Sequence, residues 1–92
     1  MPIPKPVQNY FFTDHALSEM DRRGISKDEV AAVLAKPEQS ELVRAGRIVY
    51  QSKLSMGEPP KEYVLRVFVD TDRNPSQVVT AYRTSKIEKY WR

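Results

Sequence analysis

Thr13-Asp14-His15-Ala16-Leu17-Ser18-Glu19-Met20-Asp21-Arg22-Arg23-Gly24-Ile25-Ser26-Lys27-Asp28-Glu29 carries two helix starts and one helix stop. Thr13 is a good N-cap, because its hydroxyl can accept a first-turn N–H, and Phe12 before it can staple to Leu17. Ala16, Leu17 and Met20 recur at helical spacing, so the first helix runs from about Asp14 to Arg23. Gly24 then supplies the left-handed residue that ends it. Ser26 and Glu29 have the spacing of a capping box, and Ile25 can staple to Val30. A second helix follows to about Lys36, with Val30, Val33 and Leu34 inward, and Pro37 prevents its continuation. Two short helices joined by a glycine hinge form a compact pair, and both apolar faces need a sheet to cover them.

Downstream of Ser40 the period shifts toward two. β-Branched and aromatic residues concentrate in four runs, about Glu41 to Val43, Arg47 to Leu54, Glu62 to Asp70 and Gln77 to Arg83. Ala45-Gly46 makes a tight turn between the first two, and proline-containing loops connect the rest, which gives an antiparallel meander. In the third run Tyr63, Leu65, Val67 and Val69 alternate with Val64, Arg66, Phe68 and Asp70. The first set is expected to meet the helices and Arg66 to point to the opposite face. Ser85 and Glu88 again have capping-box spacing and open a short C-terminal helix ending at Tyr90-Trp91-Arg92. At the other end, three prolines in the first ten residues predict an extended arm over 1–10, with one domain over 11–92. The expected class is α+β, two N-terminal helices packed on a twisted antiparallel sheet of about four strands.

Ninety-two residues allow one modest core and one shallow site. The chain has no cysteine, which removes disulfides and zinc-thiolate sites, and it shows no metal-ligand cluster and no glycine-rich phosphate loop, so no cofactor or metal is expected. Its start lacks an apolar signal region, and its most apolar stretch, Tyr63 to Val69, is short and contains Arg66. A cytoplasmic protein without membrane partners is the expectation. The net charge is +3 and unevenly placed: residues 1–43 carry five Lys/Arg against seven Asp/Glu, residues 44–92 ten against five. A basic second half favours an anionic partner such as RNA or an acidic protein, although a charged surface also serves plain solvation.

His15, the only histidine, projects from the first turn of a helix and is the one side chain whose ordinary pKa suits acid/base work at neutral pH. On the residues alone the plainer reading is a surface residue paired with Glu19 one turn on. Arg66 breaks the apolar alternation of its strand, as residues retained for function do, while exposed sheet faces also tolerate arginine. Thr80 and Tyr82 share a face two residues apart and could place two hydroxyls over one site, yet both are ordinary strand formers. Arg83, Lys86, Lys89 and Arg92, interleaved with Tyr90 and Trp91, have the makings of phosphate contacts and stacking platforms, or of a solvated helix edge with docked aromatics. Arg23 can complement the helix dipole or pair with Asp28 or Glu29.

Phe-x-x-His-Ala at a helix start, Arg23-Gly24-Ile25-Ser26 at its end and Val78-Val79-Thr80-Ala81-Tyr82 in the last strand resemble a bacterial domain family of unknown function grouped with the RelE-like toxin ribonucleases. Gly46-Arg47-Ile48-Val49-Tyr50, Leu65-Arg66-Val67-Phe68-Val69 and Thr80-Ala81-Tyr82-Arg83, followed by Lys86-Ile87-Glu88-Lys89-Tyr90, are similar to BrnT toxins of toxin-antitoxin systems. The resemblance implies two helices on a twisted antiparallel sheet, an RNA-facing surface, an antitoxin partner and metal-independent cleavage of mRNA. Such cleavage needs a base for the ribose 2′-OH, cations at the phosphorane and an acid for the leaving 5′-oxygen. His15, Arg66, Thr80 and Tyr82 are the candidates for the chemistry, with Tyr50 a further proton donor, and Arg47, Arg83, Lys86 and Lys89 for holding RNA. The last strand departs from the BrnT pattern, which tends to carry Ser-Ala-Arg where this chain has Thr80-Ala81-Tyr82. Its basic residue is displaced by one step, to Arg83, and one step changes the face of a strand. The competing readings are a non-catalytic module that binds an acidic partner protein, and an inactive stand-alone relative.

Overall fold

The computed structural model describes residues 4–92. Thr13 Oγ1 accepts the Ala16 N–H at 3.0 Å and opens α1, Asp14–Arg23. The same residue gives its N–H and its hydroxyl to the Val78 carbonyl, so the cap that starts the helix also fastens it to the last strand. Gly24 ends α1 at φ 67, a left-handed geometry that glycine adopts without penalty. Ser26 and Glu29 form the complete capping box that opens α2, Lys27–Ala35.

The sheet has five strands in the order β1-β5-β4-β3-β2, one more than the expected four. β2, Gln39–Arg44, β3, Arg47–Met56, β4, Lys61–Asp70, and β5, Ser76–Thr84, form the expected antiparallel meander. β1, Tyr10–Phe12, pairs parallel with β5 and makes the sheet mixed. Three residues are too few to show a period-two pattern, and the partner that makes them a strand lies far along the chain. Val7 packs against the core and gives its N–H to the Leu34 carbonyl, so this part of the extended N-terminal segment is tied down. Met1, Pro2 and Ile3 of that segment lie outside the described residues.

Leu65, Val67 and Val69 of β4 meet Ala16 and Met20 of α1 and Val30 and Leu34 of α2 in one core, as the alternation predicts. Val64, Arg66, Phe68 and Asp70 therefore occupy the opposite face. That back face is partly covered by the C-terminal segment, which includes the short helix α3, Ile87–Tyr90. α3 has no side-chain cap: its N-cap is Lys86 rather than the expected Ser85, and the Lys86 N–H goes to Thr84 Oγ1. Arg92 then exchanges two hydrogen bonds with Gln39, so the segment crosses the back of the sheet from β5 to β2. Among the described residues no helix is long and apolar enough to cross a membrane.

Candidate functional site

Arg66 sits at the centre of the back face, only 8 % exposed. Strand register puts Gln51 of β3 on one side of it and Tyr82 of β5 on the other. Arg66 Nε donates to Gln51 Oε1 at 2.9 Å, and Nη1 donates to the Tyr82 hydroxyl at 2.6 Å. Its guanidinium carbon lies 4.3 Å from the Tyr90 ring centre, 5.5 Å from Phe68 and 5.6 Å from Tyr82. Every one of these partners is neutral. Among the described residues no carboxylate lies within ion-pair distance of Arg66. Burying a cation is costly without a counter-charge, and here hydrogen bonds and aromatic faces stand in for one. Nη2 bonds to no described residue, and among the described residues no fully buried side-chain polar atom lacks a partner, so that nitrogen is not fully buried.

Burial pushes the Tyr82 hydroxyl above its usual pKa range, against the opposing pull of Arg66. Tyr90 moves the other way, held down chiefly by hydrogen bonding with Tyr82 and further by Lys89 and Arg66. Phe68 stacks on Tyr82 with 5.9 Å between ring centres, and Tyr90 meets Tyr82 edge-on at 6.1 Å. Gln51 ties the covering segment down by donating to the Tyr90 carbonyl at 3.0 Å. Lys53 lies over the Trp91 ring at 4.5 Å and Lys89 over Tyr90 at 5.4 Å, while Lys86 is exposed. At the far end of the same face Arg47 forms a two-pronged pair with Asp70, with bonds of 2.6 and 3.1 Å. Hydrogen bonding to Arg47 keeps the Asp70 carboxyl below the usual carboxylate range.

Of the residues singled out in the sequence, Arg66 and Tyr82 are in direct contact, and Thr80 faces Phe68 beside them. His15 is elsewhere. It stands on α1, across the sheet from Arg66, its side chain 71 % exposed and 3.8 Å from Glu19. Arg23 is taken up by Ala81 O and Thr80 Oγ1 and by Glu19 at 3.5 Å, not by a carboxylate of α2. Arg83 holds the carbonyls of Arg23 and Gly24 and sits 3.4 Å from Glu29, so it clamps the end of α1. Tyr50 is buried in the helix-side core, and burial raises its pKa. Gln51 was not anticipated; the only cue for it was that counting across the β3–β4 hairpin sets it opposite Arg66.

The model of the family described as Domain of unknown function (DUF4258) matches residues 12–83. The chain belongs to the DUF4258 family. This stretch takes in both long helices and everything from β2 to Arg83, and therefore Gln51, Arg66 and Tyr82, but not Tyr90. Nothing in the match ties the DUF4258 family to RelE-like or BrnT-like toxins. No curated protein and no solved structure gives a significant match.

Proposed function

We propose that this DUF4258 domain is a RelE-like, toxin-type domain that binds RNA on the sheet face opposite its helices, with Arg66 as the phosphate contact. One observation carries the reading: a nearly buried guanidinium that has no carboxylate partner among the described residues and one nitrogen, not fully buried, that bonds to none of them. A phosphodiester oxygen supplies the missing counter-charge through a charge-assisted bond to Nη2. Phe68 and Tyr90 lie against Arg66, and Trp91 lies under Lys53, so the face carries aromatic rings of the kind that single-stranded RNA stacks on. Lys53, Lys86 and Lys89 add positive charge around the same face.

Cleavage without metal is the further step of this proposal. Arg66 would stabilise the phosphorane, Tyr90, shifted toward ionisation, would act as the phenolate that takes the 2′-OH proton, and Tyr82, its proton held more tightly, would be the neutral phenol that gives one to the leaving 5′-oxygen. A binding-only form of the reading draws on the placement of His15, the chain's single histidine, outside this face. A toxin-type domain would also have an antitoxin protein as its partner.

The test is incubation of purified protein with naked and ribosome-bound mRNA in EDTA, comparing wild type with Arg66→Gln, Tyr82→Phe and His15→Ala. Cleavage that survives His15→Ala and disappears in the other two supports the full proposal. RNA binding without cleavage, lost in Arg66→Gln, supports the binding-only form. Failure of the wild type to bind either RNA rejects both.

A further inference from the structure

The sheet order leaves β3 with a neighbour on one side only over half of its length. β2 pairs with β3 from Arg47 to Gln51, and from Ser52 to Met56 β3 is paired with β4 alone. The Lys53 N–H points to the vacant side, where Glu38 Oε1 accepts it at 2.7 Å. Strand alternation then places the N–H and C=O of Ser55, an exposed residue, on the same open edge. Beside this edge, on the helix side of the sheet, an open groove of about 810 Å³ runs between α2 and β3, with Ala32, Val33, Leu54 and Met56 as its apolar lining.

The charges around the groove are unequal in how they are used. Glu29 is taken up by the Ser26 N–H and Arg83, and Glu38 by the Lys53 N–H. Lys36 lies on the groove wall, and Lys61 is the cross-strand partner of Met56 at its far end. Neither lysine has an ion-pair partner among the described residues.

We infer that this edge and groove receive an acidic, extended segment of a partner protein, added as a strand beside Ser52–Met56. Main-chain bonds to the open edge fix the register, alternate apolar side chains enter the groove, and the segment's carboxylates meet Lys36 and Lys61. Five residues of strand span ~17 Å, enough for two or three inward side chains. The added strand continues the line of β2 beyond Gln39 and takes the Lys53 N–H from Glu38. The groove and Arg66 lie on opposite faces of the sheet, so this inference stands whether or not the back face binds RNA.

The experiment uses the full chain, labelled with nitrogen-15, and a blocked synthetic peptide of alternating valine and glutamate, with an alternating valine and lysine peptide as control. The expected result is saturable shifts of the Lys53 to Met56 and Ala32 to Lys36 amides with the acidic peptide, and binding at least about tenfold weaker with the basic one. Ser55→Pro removes the edge N–H, and Ala32→Arg fills the groove from an exposed helix position; each is expected to weaken binding at least about tenfold while the remaining spectrum is preserved. Absence of shifts at millimolar acidic peptide overturns the inference, as do equal binding of the two peptides and shifts confined to the Arg66 face. Displacement of the peptide by a single-stranded RNA oligonucleotide also overturns it, in favour of one shared surface.

Discussion

Replacing Arg66 with methionine separates a structural from a functional reason for burying a cation there. Methionine keeps most of the length and removes the charge. Three effects act on stability. Loss of the contact with Tyr90 at 4.3 Å, and with the more distant Phe68 and Tyr82 rings, costs about 2 kcal/mol in a desolvated setting. Gln51, only 4 % exposed, is left with an unpaired acceptor, a further cost of about 1–3 kcal/mol. Against both stands relief of burying an unpaired cation, about several kcal/mol in the same direction as the substitution. The terms nearly cancel, so urea denaturation is expected to move by no more than about 2 kcal/mol. RNA binding has no such cancellation. Losing one charge-assisted bond to phosphate, about 1.5–3 kcal/mol, weakens affinity by about tenfold to a hundredfold. Fluorescence anisotropy with a single-stranded RNA over a salt series is then expected to show a slope of log affinity against log salt shallower by about 0.7. An unchanged affinity and slope in a folded variant refutes the phosphate role. A stability loss above about 4 kcal/mol assigns Arg66 to the scaffold instead.

Tyr82→Phe removes the hydroxyl that Arg66 meets at 2.6 Å; thermal denaturation is expected to show a loss of about 1 kcal/mol, and RNA affinity to fall alongside it. His15→Ala, at a side chain 71 % exposed and across the sheet, is expected to leave both melting temperature and RNA affinity at the wild-type value, and a loss of RNA affinity would bring α1 into the site. Asp70 is held below the usual carboxylate range by Arg47, so its stabilising contribution is present above the unfolded pKa of about 4 and is lost as pH falls through the lower folded value. Asp70→Asn is accordingly expected to flatten the acid limb of a stability-versus-pH curve, and an unaltered limb would place the acid sensitivity elsewhere. Gly46→Ala puts a Cβ 2.5 Å from Asp72 Oδ2 at a residue with φ 84, and denaturation is expected to show a cost of at least about 1 kcal/mol.

Elements whose signals are local were legible in the sequence. Thr13, Gly24, Ser26 and Glu29 act within a few residues of themselves, and α1 runs from Asp14 to Arg23 as they predict. The alternation in β4 placed Leu65, Val67 and Val69 toward the helices for the same reason. β1 was not legible, because a three-residue strand is defined by its pairing with β5 rather than by its own pattern. Ser85 has capping-box spacing with Glu88, yet α3 begins one residue later, with Lys86 at its N-cap and no side-chain cap bond, a shift that spacing alone does not show. The back face divides in the same way. Arg66 stood out as a cation in an apolar strand, but its closure by Gln51, Tyr82 and Tyr90 depends on three-strand register and on where the C-terminal segment lies. Arg83 resembled a phosphate ligand by charge and position, and only the tertiary fold turns it toward the carbonyls that end α1.

The central question is whether an RNA phosphate binds the back face. Titrating the isotope-labelled protein with a short single-stranded RNA, while following the Arg66 side-chain Nε–H and the backbone amides, tests this directly. The prediction is a saturable shift of the Arg66 resonance together with Gln51, Tyr82 and Tyr90, and none at His15 or Leu34. Shifts on the helix side with Arg66 unmoved, or no saturable shift at all, would contradict it.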